Sequence, residues 1–88
     1  MRTKKGFRLR ELGGEYILIG ESAELVNFNN LVTFNEAAAY LWRAVEGKEF
    51  DAETLTNLLL EEYEVSEAIA REDAQATLED WKEIGIIV

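Results

Sequence analysis

The sequence contains no cysteine and no histidine. Without cysteine there is no thiol nucleophile, no disulfide framework and no thiolate metal site. Without histidine the chain lacks the commonest general base near neutral pH and the commonest transition-metal ligand. An enzyme built from this chain would have to work with carboxylates, lysine, tyrosine or serine. A glycine-rich phosphate loop is also missing, and Gly13-Gly14 taken alone is a turn signal. No apolar run approaches the roughly eighteen residues needed to span a bilayer. The basic start, Met1-Arg2-Thr3-Lys4-Lys5-Gly6, is not followed by the apolar stretch of a signal peptide. These absences predict a soluble, cytoplasmic, non-catalytic protein with no metal and no cofactor.

What is present fits one small domain. Eighty-eight residues, 48% of them hydrophobic and spread along the chain, are enough for a single core of modest stability. The formal net charge is −9, and its distribution is uneven. Arg2, Lys4, Lys5, Arg8 and Arg10 all precede the first acidic residue, Glu11. Residues 11–88 therefore hold four basic and eighteen acidic residues, a net of −14. Duplex binding draws most of its affinity from neutralising phosphates with Lys and Arg, and such a body repels them. The basic residues at the start are expected to form a short solvated tail, with contact to a phosphate or an acidic partner as the alternative.

Local patterns predict β-strands first and helices afterwards. Phe7-Arg8-Leu9-Arg10 alternates apolar and charged residues, as a half-buried strand does. Gly13-Gly14 precedes Tyr16-Ile17-Leu18-Ile19, which reads as a hairpin turning at the glycines. Leu25-Val26-Asn27-Phe28 and Leu31-Val32-Thr33-Phe34 form a second candidate pair around Asn29-Asn30. The expectation is an antiparallel sheet of three or four short strands, whose order the sequence does not disclose.

Asn35 then has the character of a helix N-cap, with Glu36 in the first turn and Gly47 as the stop. Ala38, Leu41, Trp42 and Val45 share one face of that helix. Asp51 opens a second helix with Leu55, Leu58 and Leu59 inward, and Phe50 packs back as a hydrophobic staple. Ser66 opens a third, which runs to about Ile84 and ends at Gly85. Its apolar stripe is read as Ile69, Ala70, Ala74, Thr77, Leu78 and Trp81. The tail Ile86-Ile87-Val88 is free to pair or dock. The plan is α+β and winged helix-turn-helix-like.

Several of these segments, in this order, resemble the PqqD family. They are Gly6-Phe7-Arg8-Leu9-Arg10-Glu11, Gly14-Glu15-Tyr16, Phe34-Asn35-Glu36-x-Ala38-x-x-Leu41-Trp42, Tyr63-x-Val65 with Asp73, and Ile84-Gly85-Ile86. The family usually has Leu where this chain has Phe34, a change that keeps the apolar role. The charge pattern sets off a basic arm over residues 1–5, and the resemblance implies one peptide-recognition domain over residues 6–88. It further implies that the leader segment of a ribosomally made precursor peptide is captured as an added β-strand and presented to a modifying enzyme. In the system that gives the family its name, that enzyme is of the radical-SAM type. The leader would pair with residues 31–34 and lie against the helix over residues 66–84. The residues so implicated in peptide binding are Leu31, Val32, Thr33, Phe34, Asp73, Thr77, Leu78 and Trp81.

Each of these has a plainer use. Phe34 and Trp81 sit where core residues sit, and Asp73 suits the capping of a backbone. Two other readings stay open. A winged-helix DNA-binding protein shares the helical plan, but its third helix should offer Arg, Lys, Asn or Gln to bases. Here that helix carries Glu67, Glu72, Asp73, Glu79, Asp80 and Glu83 against Arg71 and Lys82. A structural adaptor could instead dock on an enzyme, or form a homodimer, through its sheet edge.

Overall fold

The computed structural model describes residues 1–20 and 32–88. Among these residues three antiparallel strands, β1 (Phe7–Leu12), β2 (Glu15–Gly20) and β3 (Val32–Phe34), precede three helices. The helices are α1 (Glu36–Val45), α2 (Ala52–Glu62) and α3 (Glu67–Ile84). The architecture is α+β, as the sequence pattern predicts. The strand expected at residues 25–28, the Asn29-Asn30 turn and Leu31 lie outside the described residues.

The sheet order is β1-β2-β3. Leu12 stands opposite Glu15, which leaves Gly13 and Gly14 as a two-residue turn. Their φ angles are 59° and 85°. Positive φ at both central positions is what a type I′ hairpin turn requires, and its twist matches that of the strands it joins. β2 pairs with β3 through Tyr16 opposite Phe34, Ile17 opposite Thr33 and Leu18 opposite Val32.

Each helix begins where a side chain can satisfy its free amides. Asn35 Oδ1 accepts from the Ala38 amide at 2.7 Å. Ser66 Oγ accepts from the Ile69 amide at 3.2 Å. At α2, Asp51 and Thr54 form a reciprocal capping box. The hydrogen bond from the Thr54 amide holds the Asp51 carboxyl below its ordinary pKa. α3 closes on Gly85, whose φ of 90° is the left-handed cap geometry.

The core lies between the helices and one face of the sheet. Its centre is aromatic: Phe7, Phe34, Phe50, Trp42 and Trp81 are all buried. Trp42 meets Trp81 edge to face at 5.3 Å between ring centroids, and Phe7 meets Trp42 edge-on at 6.4 Å. Phe50, placed by the α2 cap, turns its ring against Trp81 at 6.2 Å. Such pairs add about 0.5–1.5 kcal/mol each beyond the apolar area they bury. Trp42 Nε1 is buried without a hydrogen-bond partner among the described residues. Among the described residues the indole is held by packing.

Two expectations are corrected. The basic residues at the start are not a solvated tail. Thr3 bridges Ile87 antiparallel, and hydrogen bonds of 2.8–2.9 Å join Arg2 to Val88 and Lys4 to Ile86. Thr3 is buried, and its Oγ1 accepts from the Gly47 amide at 3.2 Å. The apolar tail supplies the reason: Ile86 and Ile87 belong to the core, and their backbone needs a pairing partner there. Ile69 also leaves the predicted stripe and is half exposed. The buried line of α3 runs through Ala70, Ala74, Leu78 and Trp81, and Ile69 lies one residue, about 100°, to its side.

Trp42→Ala should cost about 3–5 kcal/mol in urea unfolding, because a fully buried indole leaves a cavity that its neighbours cannot close. At the hairpin, a Cβ on Gly13 or Gly14 would meet no atom within 4 Å. Any penalty there is therefore conformational. Gly14→Val should cost about 1–3 kcal/mol, whereas Gly13→Asn should be close to neutral, since Asn accepts the left-handed region. Equal losses from the two hairpin variants would contradict this reading.

Candidate functional site

β3 lies at one edge of the described sheet and leads directly into α1 through Asn35. Val32 and Phe34 turn into the core, and Thr33 between them is exposed. The Phe34 ring stacks on Trp81 at 5.8 Å between centroids and 25° between planes. That stack draws β3 toward the C-terminal half of α3 and leaves a furrow beside it.

The furrow has two adjoining parts. The first, about 160 Å³, is lined by Thr33, Phe34, Asn35, Ala38, Thr77, Asp80, Trp81 and Ile84. The second, about 290 Å³, is lined by Asn35, Ala37, Leu41, Leu59, Asp73, Ala76, Thr77 and Asp80. They share Asn35, Thr77 and Asp80, so one groove follows α3 from Ile84 to Asp73. At about 1.5 Å per helical residue that is about 16 Å, the length of about five residues of extended chain. A smaller apolar hollow of about 170 Å³, lined by Ala37, Leu59, Tyr63, Val65 and Asp73, adjoins the far end.

The residues singled out in the sequence divide into three sets. Thr33, Phe34, Thr77 and Trp81 come together in the first part of the groove, and Asp73 lies farther along it beside Thr77. Val32 and Leu78 are buried beneath this surface and support it from the core. Leu31 lies outside the described residues. Asp73 is exposed, and its main-chain carbonyl accepts from Thr77 Oγ1 at 2.9 Å within the helix.

Asn35, Ala38, Asp80 and Ile84 line the groove but were not singled out. Thr77, Asp80, Trp81 and Ile84 stand at i, i+3, i+4 and i+7, one helical face. That spacing is legible in the sequence. The charge of Asp80 and the terminal place of Ile84 conceal their membership. Asn35 is already committed to capping α1, and its position at the junction of the two groove parts depends on the tertiary fold.

The groove's side chains are a mixture of apolar groups, small residues, an amide, two hydroxyls and two exposed carboxylates. Among the described residues there is no group of three or more Asp or Glu placed to hold a metal ion. No described helix is long and apolar enough to cross a membrane.

The sequence model of the family described as coenzyme PQQ synthesis protein D (PqqD) matches residues 13–87. No curated protein matches the chain. Two solved structures share the fold. TbiB1 in complex with the TbiA(beta) leader peptide aligns with a TM-score of 0.74 at 15% identity, over 99% of this chain and 94% of that one. Lasso peptide synthetase B1 complexed with the leader peptide aligns with a TM-score of 0.73 at 20% identity, over 99% and 95%. At such identities the likeness is one of fold.

Proposed function

The chain belongs to the PqqD family, and on that premise we propose that it is a non-catalytic recognition domain for the leader segment of a precursor peptide, which it presents to a peptide-modifying enzyme. The observation that carries this reading is the conjunction of a sheet edge with a groove. β3 offers backbone groups for an added strand, and the furrow along α3 receives that strand's side chains. Both neighbours of this fold are held with leader peptides.

Magnitudes explain why both halves are needed. About four new backbone hydrogen bonds contribute about 2–6 kcal/mol. Micromolar affinity needs about 8 kcal/mol after the costs of association and ordering. Apolar leader side chains against Phe34, Trp81 and Ile84 supply the difference at about 25 cal/mol per Å² buried.

The same reasoning selects β3 over the opposite edge. β1 carries Arg8, Arg10 and Glu11, edge charges of a kind that discourages strand addition, and the hollow at its start is walled by Arg2, Thr3, Lys4 and Lys5 rather than by an apolar helix face. The exposed face of α3 carries Glu72, Asp73, Glu79, Asp80 and Glu83, which disfavours nucleic acid and favours a leader with a basic residue near the groove.

The test is titration calorimetry with the precursor-derived leader peptides encoded beside this chain's gene. The wild-type chain should bind one of them at micromolar concentration. Thr77→Arg, which fills the groove without touching the core, should weaken that binding at least tenfold and leave the unfolding midpoint unchanged. Equal affinity in the variant would move the site elsewhere.

A further inference from the structure

The opposite face of the sheet is unusual for this protein. Strand alternation turns Phe7, Leu9, Tyr16, Leu18, Val32 and Phe34 toward the core. The other face therefore carries Arg8, Arg10 and Leu12 from β1, Glu15, Ile17 and Ile19 from β2, and Thr33 from β3, with Glu15 at the hairpin end opposite Leu12. The register sets Arg8 beside Ile19, and Arg10, Ile17 and Thr33 in one row across all three strands. Arg10, Leu12, Ile19 and Thr33 are exposed, and Ile17 is half-buried. β-branched apolar side chains open to solvent in a sheet mark contact surfaces when they cluster.

Charge narrows the choice of occupant. Arg8 and Arg10 stand on this face in a chain whose residues 11–88 have a net charge of −14. Two arginines against Glu15 leave the face net positive, so a second copy would bring two surfaces of the same sign together. A partner with apolar and acidic surface is complementary instead. The geometry adds a second argument, which rests on the leader-binding reading. A strand added beside β3 turns alternate side chains onto this same face, next to Thr33. A protein seated on the sheet then touches the carrier and the leader together.

We propose that the outer face of the sheet is the docking surface for the peptide-modifying enzyme, which meets it with an apolar and acidic patch. The bound leader completes that surface as a fourth strand. Docking and leader capture thus use opposite sides of the same three strands, and neither obstructs the other.

The experiment uses the full chain and the modifying enzyme encoded beside its gene, immobilised for interferometry, with and without saturating leader peptide. Two variants at exposed positions, Arg10→Glu and Ile19→Glu, are compared with wild type. Each should weaken enzyme binding at least tenfold while leader affinity, measured separately by calorimetry, stays within twofold. That constancy also certifies the fold. Saturating leader should tighten wild-type binding at least threefold, and added salt should weaken wild type more than Arg10→Glu. Wild-type enzyme affinity in both variants would overturn the proposal. So would concentration-dependent dimerisation of the wild type that both variants abolish while enzyme binding persists, because the face would then belong to a second copy. If no leader binds the wild type yet both variants lose the enzyme, the docking surface stands and the leader-binding reading fails.

Discussion

Phe34 and Trp81 lie nearly parallel, 5.8 Å apart, and this contact holds a strand of three residues against a helix of eighteen. So short a strand gains little from its own pairing. Its place is set by two buried side chains, Val32 and Phe34, and by the aromatic ring that Phe34 rests on. Trp81 is in turn braced by Trp42 and Phe50. The groove floor is therefore the outer wall of the hydrophobic core. Stability and recognition share these atoms, which is why substitutions at Trp81 cannot separate them, whereas a rim residue such as Thr77 can.

That sharing shapes how the molecule divides its surfaces. The helical side provides a groove with apolar depth and an acidic rim. The sheet's outer side provides a flat face bearing arginines and isoleucines. Between them lies a layer of strands whose β3 edge is common to both. An added strand is then a structural joint between ligand and partner, and no moving part is needed for a carrier to signal that it is loaded.

Features set by neighbours in sequence were legible; features set by distant contacts were not. The helix caps at Asn35, Asp51 and Ser66, the Gly85 stop and the hairpin at Gly13-Gly14 follow from chemistry within a few residues. The pairing of β3 with β2 and that of Thr3 with Ile87 join residues distant in sequence, and no local signal encodes them. Ile69 shows the limit of periodicity: it and Ala70 both fit an apolar stripe, and only the packed fold decides that Ala70 is the one buried. In the groove, Thr33, Phe34, Thr77 and Trp81 could be named because the family resemblance pointed to their segments. Asp80 and Ile84 were hidden by reading charge as solvation and a helix end as an end.

The central claim is that the leader becomes a fourth strand on β3, and isotope-edited NMR of the labelled chain with unlabelled leader tests it most directly. The account predicts inter-strand Hα–Hα and amide contacts between leader and Val32–Phe34, together with contacts from leader side chains to Thr77, Trp81 and Ile84. A leader that binds as a helix, or whose contacts fall on β1 or on α2 instead, would contradict it.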